Sequence, residues 1–302
     1  MASPGTPTFD QLRIFLAVTE SGSFAAAGRI LNRATSVISY GIDNLEAQIG
    51  LSLFDRETTR RPRLTVAGQA MLAEAKTVAH GIDSLRAKAK GLLDGLEAEV
   101  SIAVDVMFPA ARLGDVLKEF QREFPTVTLR LHVEALGAVA ALTLDGRAQI
   151  GISGPLATII DGTDQLERIY AGSVDLVPVA APDHPLAKLH PVPPGATRDH
   201  IQLVLTDRSP LTAGRDFSVL SPRTWRLADL SAKHALLREG IGWGSMPLPM
   251  IEPDLVDGTL IRLALPDHRG LKYDFDAITR TDSPPGPAGS WLMQRFAATA
   301  TG

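Results

Sequence analysis

One long apolar seam constrains this chain more than any other feature. Between Ala67 and Leu96, Met71, Ala75, Val78, Ile82, Leu85, Ala89, Leu92 and Leu96 recur at alternating spacings of four and three. That is a heptad pattern, which marks a helix whose stripe packs against another helix. Gly81, Gly91 and Gly95 each weaken such a helix by roughly 1 kcal/mol relative to Ala, so the seam needs a partner. The spacing predicts a helix that pairs with a second copy of the chain through Met71, Val78, Ile82, Leu85 and Leu92. The plainer reading is an amphipathic helix packed on its own domain. The seam divides the chain into three parts: 1–66, a linker at 67–97, and 98–302.

The first part reads as helices. Thr8 and Gln11 make a capping box, and Phe9, Leu12, Phe15, Leu16 and Val18 form a stripe that Gly22 ends. Ser23 can cap a second helix over about 24–31, built from small residues that let another helix approach closely. After a break at Asn32, Arg33 and Ala34, a third helix runs from Thr35 to about Gln48. Ile38, Ile42, Leu45 and Ile49 fall on one stripe, which leaves Thr35, Ser36, Ser39, Tyr40 and Asp43 on the other face. That face is short-chained and nearly uncharged. Two helices with a tight break match the helix-turn-helix, whose second helix enters the major groove. Residues 51–66 read as a β-ribbon or wing carrying Arg56, Arg60, Arg61 and Arg63 within eight residues. Arg forks onto phosphate oxygens, and no Lys precedes Lys76.

After Glu97 apolar runs alternate with helical patterns: "VSIAVDV" at 100–106, "VTLRLHV" at 127–133, "QIGIS" at 149–153, "VDLVPVAA" from Val174, "IQLVL" at 201–205 and "IGWGS" at 241–245. This rhythm predicts a mostly parallel sheet with helices on both faces. Ligands in such sheets sit at the carboxyl ends of strands. The rule selects Asp105, Val106, Met107, Ser153, Thr206, Asp207 and Trp243 to Ser245, with Trp243 and Gly244 the leading candidates of that last run. The chain has no Cys, so thiol and Cys-metal chemistry is excluded. The seven His residues show no metal-ligand spacing, and no P-loop or nucleophile-elbow motif is present. No catalytic residue, metal or cofactor is expected. The start "MASPGTPTFD" has neither the charged nor the apolar region of a secretory signal, no run is long enough to span a membrane, and the expected location is the cytoplasm.

The runs "LRIFLAVTESGSFAAAGRIL", "SVISYGIDNLEAQIGLSLFDR" and "RLTVAGQAML", taken in order, resemble the LysR-type transcriptional regulators. The layout of linker helix and α/β lobes extends the resemblance over essentially the whole chain. It is weaker in the C-terminal part, where "FQREFPTVTLRL", "DHPLA" and "REGIGWGSMP" match best. The resemblance implies an α+β chain: an N-terminal winged helix-turn-helix, a long linker helix, and a two-lobed α/β effector domain like a periplasmic binding protein. Lobe I would take about 98–170 and 275–302, and lobe II about 171–274.

The implied function is DNA binding tuned by a small molecule held between the lobes. Thr35, Ser36, Ser39 and Tyr40 would face base edges. Ser23, Arg33, Arg56, Arg60, Arg61 and Arg63 would hold phosphates or the minor groove. The resemblance also implies homodimers on an inverted-repeat operator, association into tetramers, and RNA polymerase as a partner. Three departures stand out. Ala34 and Thr35 replace the family's frequent Ser-Gln, so Thr35 is expected to cap the reading helix. Tyr40 replaces an Arg, and Gln149 stands where Asp is common. An Asp at 105 would repel a carboxylate, which favours a cationic, neutral or metal-associated effector. The rival reading is a cytoplasmic solute-binding or sensor protein with no operator, but that class has no use for residues 8–66.

Overall fold

A computed structural model describes residues 5–55, 62–155, 163–207, 209–215, 217–268 and 270–299, apart from the side chains of Ser84 and Thr163. The chain divides between Lys90 and Gly91 into two compact units.

The first unit opens with α1 (Phe9–Ser21), α2 (Phe24–Leu31) and α3 (Thr35–Ile49). The expected capping box forms at Thr8 and Gln11, and the Ser23 hydroxyl accepts from the Ala26 N–H at 3.1 Å. Asn32 closes α2 in the left-handed region, φ 53°. A methyl group on Gly28 would lie 2.7 Å from the Arg33 carbonyl, and one on Gly41 would lie 2.6 Å from the Ile14 side chain. These glycines let the three helices close around Phe15, Ile38, Ile42 and Leu45, all buried.

Next come β1 (Phe54–Asp55) and β2 (Arg63–Leu64), an antiparallel pair, and then α4 (Val66–Leu93). Phe54 meets Phe15 and Phe24 edge to face at 5.6 and 5.8 Å. Glu46 accepts from the N–H groups of Leu53 and Phe54 at 2.6 and 3.1 Å, tying α3 to the ribbon. The Thr65 hydroxyl caps α4 by accepting from Gly68 at 2.9 Å. Gly68 fits against the Leu53 carbonyl, which a Cβ there would overlap. The sequence places the end of α4 at Leu96; the helix stops at Leu93. Gly95 takes φ 84°, and the Leu96 N–H turns back to the Gly91 carbonyl at 2.9 Å, the glycine-closed cap that satisfies a helix's last carbonyls.

The second unit holds β3 (Glu99–Asp105), α5 (Ala110–Glu123), β4 (Thr128–Glu134), α6 (Gly137–Leu144), β5 (Ile150–Ser153), β6 (Leu166–Ala180), β7 (Gln202–Leu205), β8 (Thr224–Leu227), α7 (Leu230–Arg238), β9 (Trp243–Pro247), α8 (Leu248–Asp257), β10 (Ile261–Arg262), β11 (Leu271–Arg280) and α9 (Pro287–Ala298). The strand order is β4-β3-β5-β11-β6-β9-β7-β8, with β10 on β6. The β3 pairings to β4 and β5, and the β7 pairings to β8 and β9, are parallel. Every pairing of β6 and β11 is antiparallel. The sheet is therefore mixed, not mostly parallel. Two groups of parallel strands are joined by two long strands that run from one to the other.

Those strands slip register midway. Ser173 pairs Asp274 and Tyr170 pairs Asp276, so Ala171 and Gly172 oppose Phe275 alone. This is a bulge, with Gly172 at φ 97°. Arg112 of α5 clamps it, donating to the Ala171 carbonyl at 2.9 Å while stacking on Phe108 at 4.8 Å.

Candidate nucleic-acid interface and effector cavity

In α3, Ile38, Gly41, Ile42, Leu45 and Glu46 face inward. Thr35, Ser36, Ser39, Tyr40 and Asp43 are exposed, Tyr40 by 68%. The structure thus brings the four predicted base-facing residues onto one free face. Val37, 46% exposed, shares that face. Sequence reasoning passed it over because a lone apolar residue reads as core. Thr35 does not cap the helix: the cap position is Ala34, with no side-chain bond to the helix start. The first N–H groups of α3 are left without a side-chain partner at this end.

The Ser23 side chain is occupied as the α2 cap. Arg33 pairs with Asp10 at 2.5 Å, and that contact holds the Asp10 carboxyl below its ordinary range. Arg63 is exposed on β2. Arg56, Arg60 and Arg61 lie outside the described residues.

Along α4 the seam splits. Met71 and Ala75 pack into the core of the first unit, which explains their part of the stripe without a partner. Val78, Leu85 and Leu92 are 45, 65 and 50% exposed, and Ile82 is half-buried.

The second unit contains a cavity of about 320 Å³. It opens between the two strand groups, with Met107, Leu136 and Pro155 on one side and Gln202–Leu205, Phe217, Lys233, Ser245 and His268 on the other. Leu136 is held at φ 51°, ψ −125° at the start of α6, a strained backbone of the kind that clusters at ligand sites.

Of the nine residues selected by the strand-end rule, Met107 and Ser245 line the cavity, and the others do not. Asp105 is buried, 1% exposed. Its carboxylate accepts from the Met107 N–H and the Tyr273 hydroxyl, both at 2.9 Å, and from the Gly154 N–H. Burial pushes its pKa up to about 6. Its charge is consumed inside the protein, so it gives no ground for expecting a cationic effector.

Val106 donates to the Glu134 carbonyl and Thr206 to that of Leu227. Ser153 is fully buried, its hydroxyl on the Gly154 carbonyl. The Asp207 carboxylate binds the Thr212 hydroxyl and stands against Gly137 at the start of α6. Trp243 is a core residue, packed with Leu186, Val192, Leu263 and Leu265. Trp243 and Ser245 lie two residues apart and share one face of β9; Ser245, further along the strand, lines the cavity, while Trp243 at the strand's start is packed in the core. Gly244 makes room, because a Cβ there would stand 3.1 Å from the Lys233 Cε and 2.8 Å from the Leu203 carbonyl. Gln149 bridges β3 and β5 through Ser101, a structural task.

The residues missed are Lys233, His268, Tyr273 and Gln202. Lys233 left a trace: it sits between Leu230 and Leu237 on the inward stripe of α7, where all three are buried. His268 meets the Ser245 hydroxyl at 2.9 Å, and burial lowers its pKa. Among the described residues, no group of three or more His, Cys, Asp or Glu is placed to hold a metal, and no helix is long and apolar enough to cross a membrane.

The family description "Bacterial regulatory helix-turn-helix protein, lysR family" matches residues 9–69, and "LysR substrate binding domain" matches residues 93–301. The "Probable HTH-type transcriptional regulator YhaJ" of Escherichia coli K12 is 27% identical over 98% of each chain. The "HTH-type transcriptional activator AllS" of Klebsiella pneumoniae is 29% identical over 83% of this chain and 93% of that one. Among solved structures, a full-length variant of AphB shares the fold at a TM-score of 0.51 and 20% identity, over 95% of this chain and 98% of that one. The rival of a solute-binding protein with no DNA-reading part falls with these matches. The chain belongs to the LysR family of bacterial DNA-binding transcriptional regulators, with a helix-turn-helix at its start and an effector-binding domain over most of the remainder.

Proposed function

We propose that this regulator reads an inverted-repeat operator as a homodimer, and that a small molecule in the 320 Å³ cavity biases which DNA-bound state it adopts. The observation that carries the DNA-reading half is the exposed face of α3, short-chained and charged only at Asp43. Thr35, Ser36 and Ser39 offer short donors and acceptors to base edges, and Val37 and Tyr40 offer apolar contact to thymine methyls. Phosphates are held by the open start of α3, by Arg56, Arg60, Arg61 and Arg63 of the wing, and by Ser23 and Arg33 at the edge of the helix pair.

The exposed part of the seam, Val78 to Leu92, is the dimer contact. Tetramers and contact with RNA polymerase follow the family pattern, as does action in the cytoplasm, where promoter DNA is found. Lobe limits of 98–170 with 275–302, and 171–274, are supported by the bulge at Gly172 and Phe275, where two crossing strands can bend together. An effector with different affinities for two lobe arrangements shifts their populations.

Fluorescence anisotropy on duplex DNA over a salt series tests the wing. Replacing Arg60 and Arg61 together by Ala weakens binding to all sequences and flattens the log-log salt slope by about 2. An unchanged slope removes the wing from the interface.

A further inference from the structure

Resting on the effector cavity proposed above, one side chain defines what the cavity takes. Lys233 lines it while only 4% exposed. An ammonium has three donors. Here one goes to the Ser245 carbonyl at 2.7 Å, and among the described residues no carboxylate pairs with it. Burying a cation without a counter-charge is costly unless something else supplies the charge. Burial lowers its pKa to about 8, which leaves it cationic at neutral pH. Gly244 lets the Lys233 side chain pack close to β9, since a Cβ there would stand 3.1 Å from its Cε and 3.5 Å from its Nζ.

The remaining polar groups on the wall are neutral or occupied. Gln202 spends its amide on the loop that follows: it donates to the Ser218 carbonyl and accepts from Leu220 and Ser221. The Tyr273 hydroxyl is given to Asp105. His268, held uncharged by burial, and Ser245 bond each other. Neither Asp105 nor Asp207 lines the cavity: Asp105 carries the Met107 and Tyr273 donors, and Asp207 accepts from the Thr212 hydroxyl on one oxygen, its buried Oδ2 having no hydrogen-bond partner among the described residues. The charged residue on the described wall is therefore one cation, set among Leu136, Leu176, Phe217 and Leu271.

We infer that the effector is a small organic monoanion, its charged group on the Lys233 ammonium and its apolar body against Leu136, Leu176, Phe217 and Leu271. A cation meets the ammonium without a counter-charge, and a dianion brings a second charge that finds none.

Isothermal titration of the full chain near neutral pH tests this with benzoate and hexanoate as monoanions, their neutral amides, benzylammonium, and phthalate as a dianion. At least one monoanion should bind, with the amides, benzylammonium and phthalate weaker by about tenfold or more. Lys233→Met should lose that binding while still melting cooperatively, at no lower temperature than the parent, and keeping its DNA binding. Equal binding of an amide or of benzylammonium, or monoanion affinity unchanged in Lys233→Met, overturns the monoanion and leaves the effector cavity standing. Binding of none of the probes overturns both.

Discussion

Burial of Lys233 holds its pKa near 8, against 10.5 for a free lysine side chain. Below pH 8 the folded and unfolded chains both carry the proton, and the folded state bears the whole cost of the desolvated cation, about 3 kcal/mol. Between those two values the unfolded chain binds more protons, so stability rises with pH. Lys233→Met removes this cost but leaves the Ser245 carbonyl without its donor, a loss of about 1 kcal/mol. The variant should be more stable than the parent by about 2 kcal/mol at neutral pH, with the advantage fading as pH climbs from 8 towards 10.5; urea melts at the two ends of that range check it. At this scale, legibility followed sequence distance. The Thr8 and Ser23 caps were readable because each bonds a residue three positions away. The fate of Asp105 was not, because Tyr273 stands 168 positions along the chain.

Among the elements, the short motifs that identify the DNA-reading part have physical duties. Leu45 is core and Glu46 satisfies two N–H groups of the ribbon. Thr65 caps α4, and Gly68 lets it pass the Leu53 carbonyl. Glu46→Ala leaves both N–H groups buried without that acceptor. It should cost about 3 kcal/mol, read as an earlier urea midpoint for the first unit with α3 loosened from the ribbon. Helix periodicity was legible because one face of each helix is buried. Strand direction was not. The first half of β6, with Glu167 and Arg168 exposed, has too little apolar pattern to read as a strand. The antiparallel course of β6 and β11 is set by partners far off in sequence. The end of α4 was missed because the stripe continues to Leu96, whereas the left-handed turn at Gly95 redirects that side chain into the second unit's core.

For the whole molecule, the seam from Val78 to Leu92 exposes apolar surface that one copy of the chain does not cover. Val78→Glu with Leu85→Glu places like charges across a paired seam. It should convert dimers to monomers in sedimentation equilibrium at micromolar protein while leaving the secondary structure intact. Operator affinity should fall with dimerisation, because one module touches too few bases for specificity.

That dependence makes selection of bound sequences from random DNA, by the purified full-length protein near physiological salt, the most direct measurement. The expected product is an inverted repeat with half-sites about one helical turn apart, its base preferences changed at a single step per half-site by Tyr40→Ala. Recovery of no sequence above background, with and without the monoanion that binds the cavity, would contradict the assignment of residues 23–50 as an operator reader.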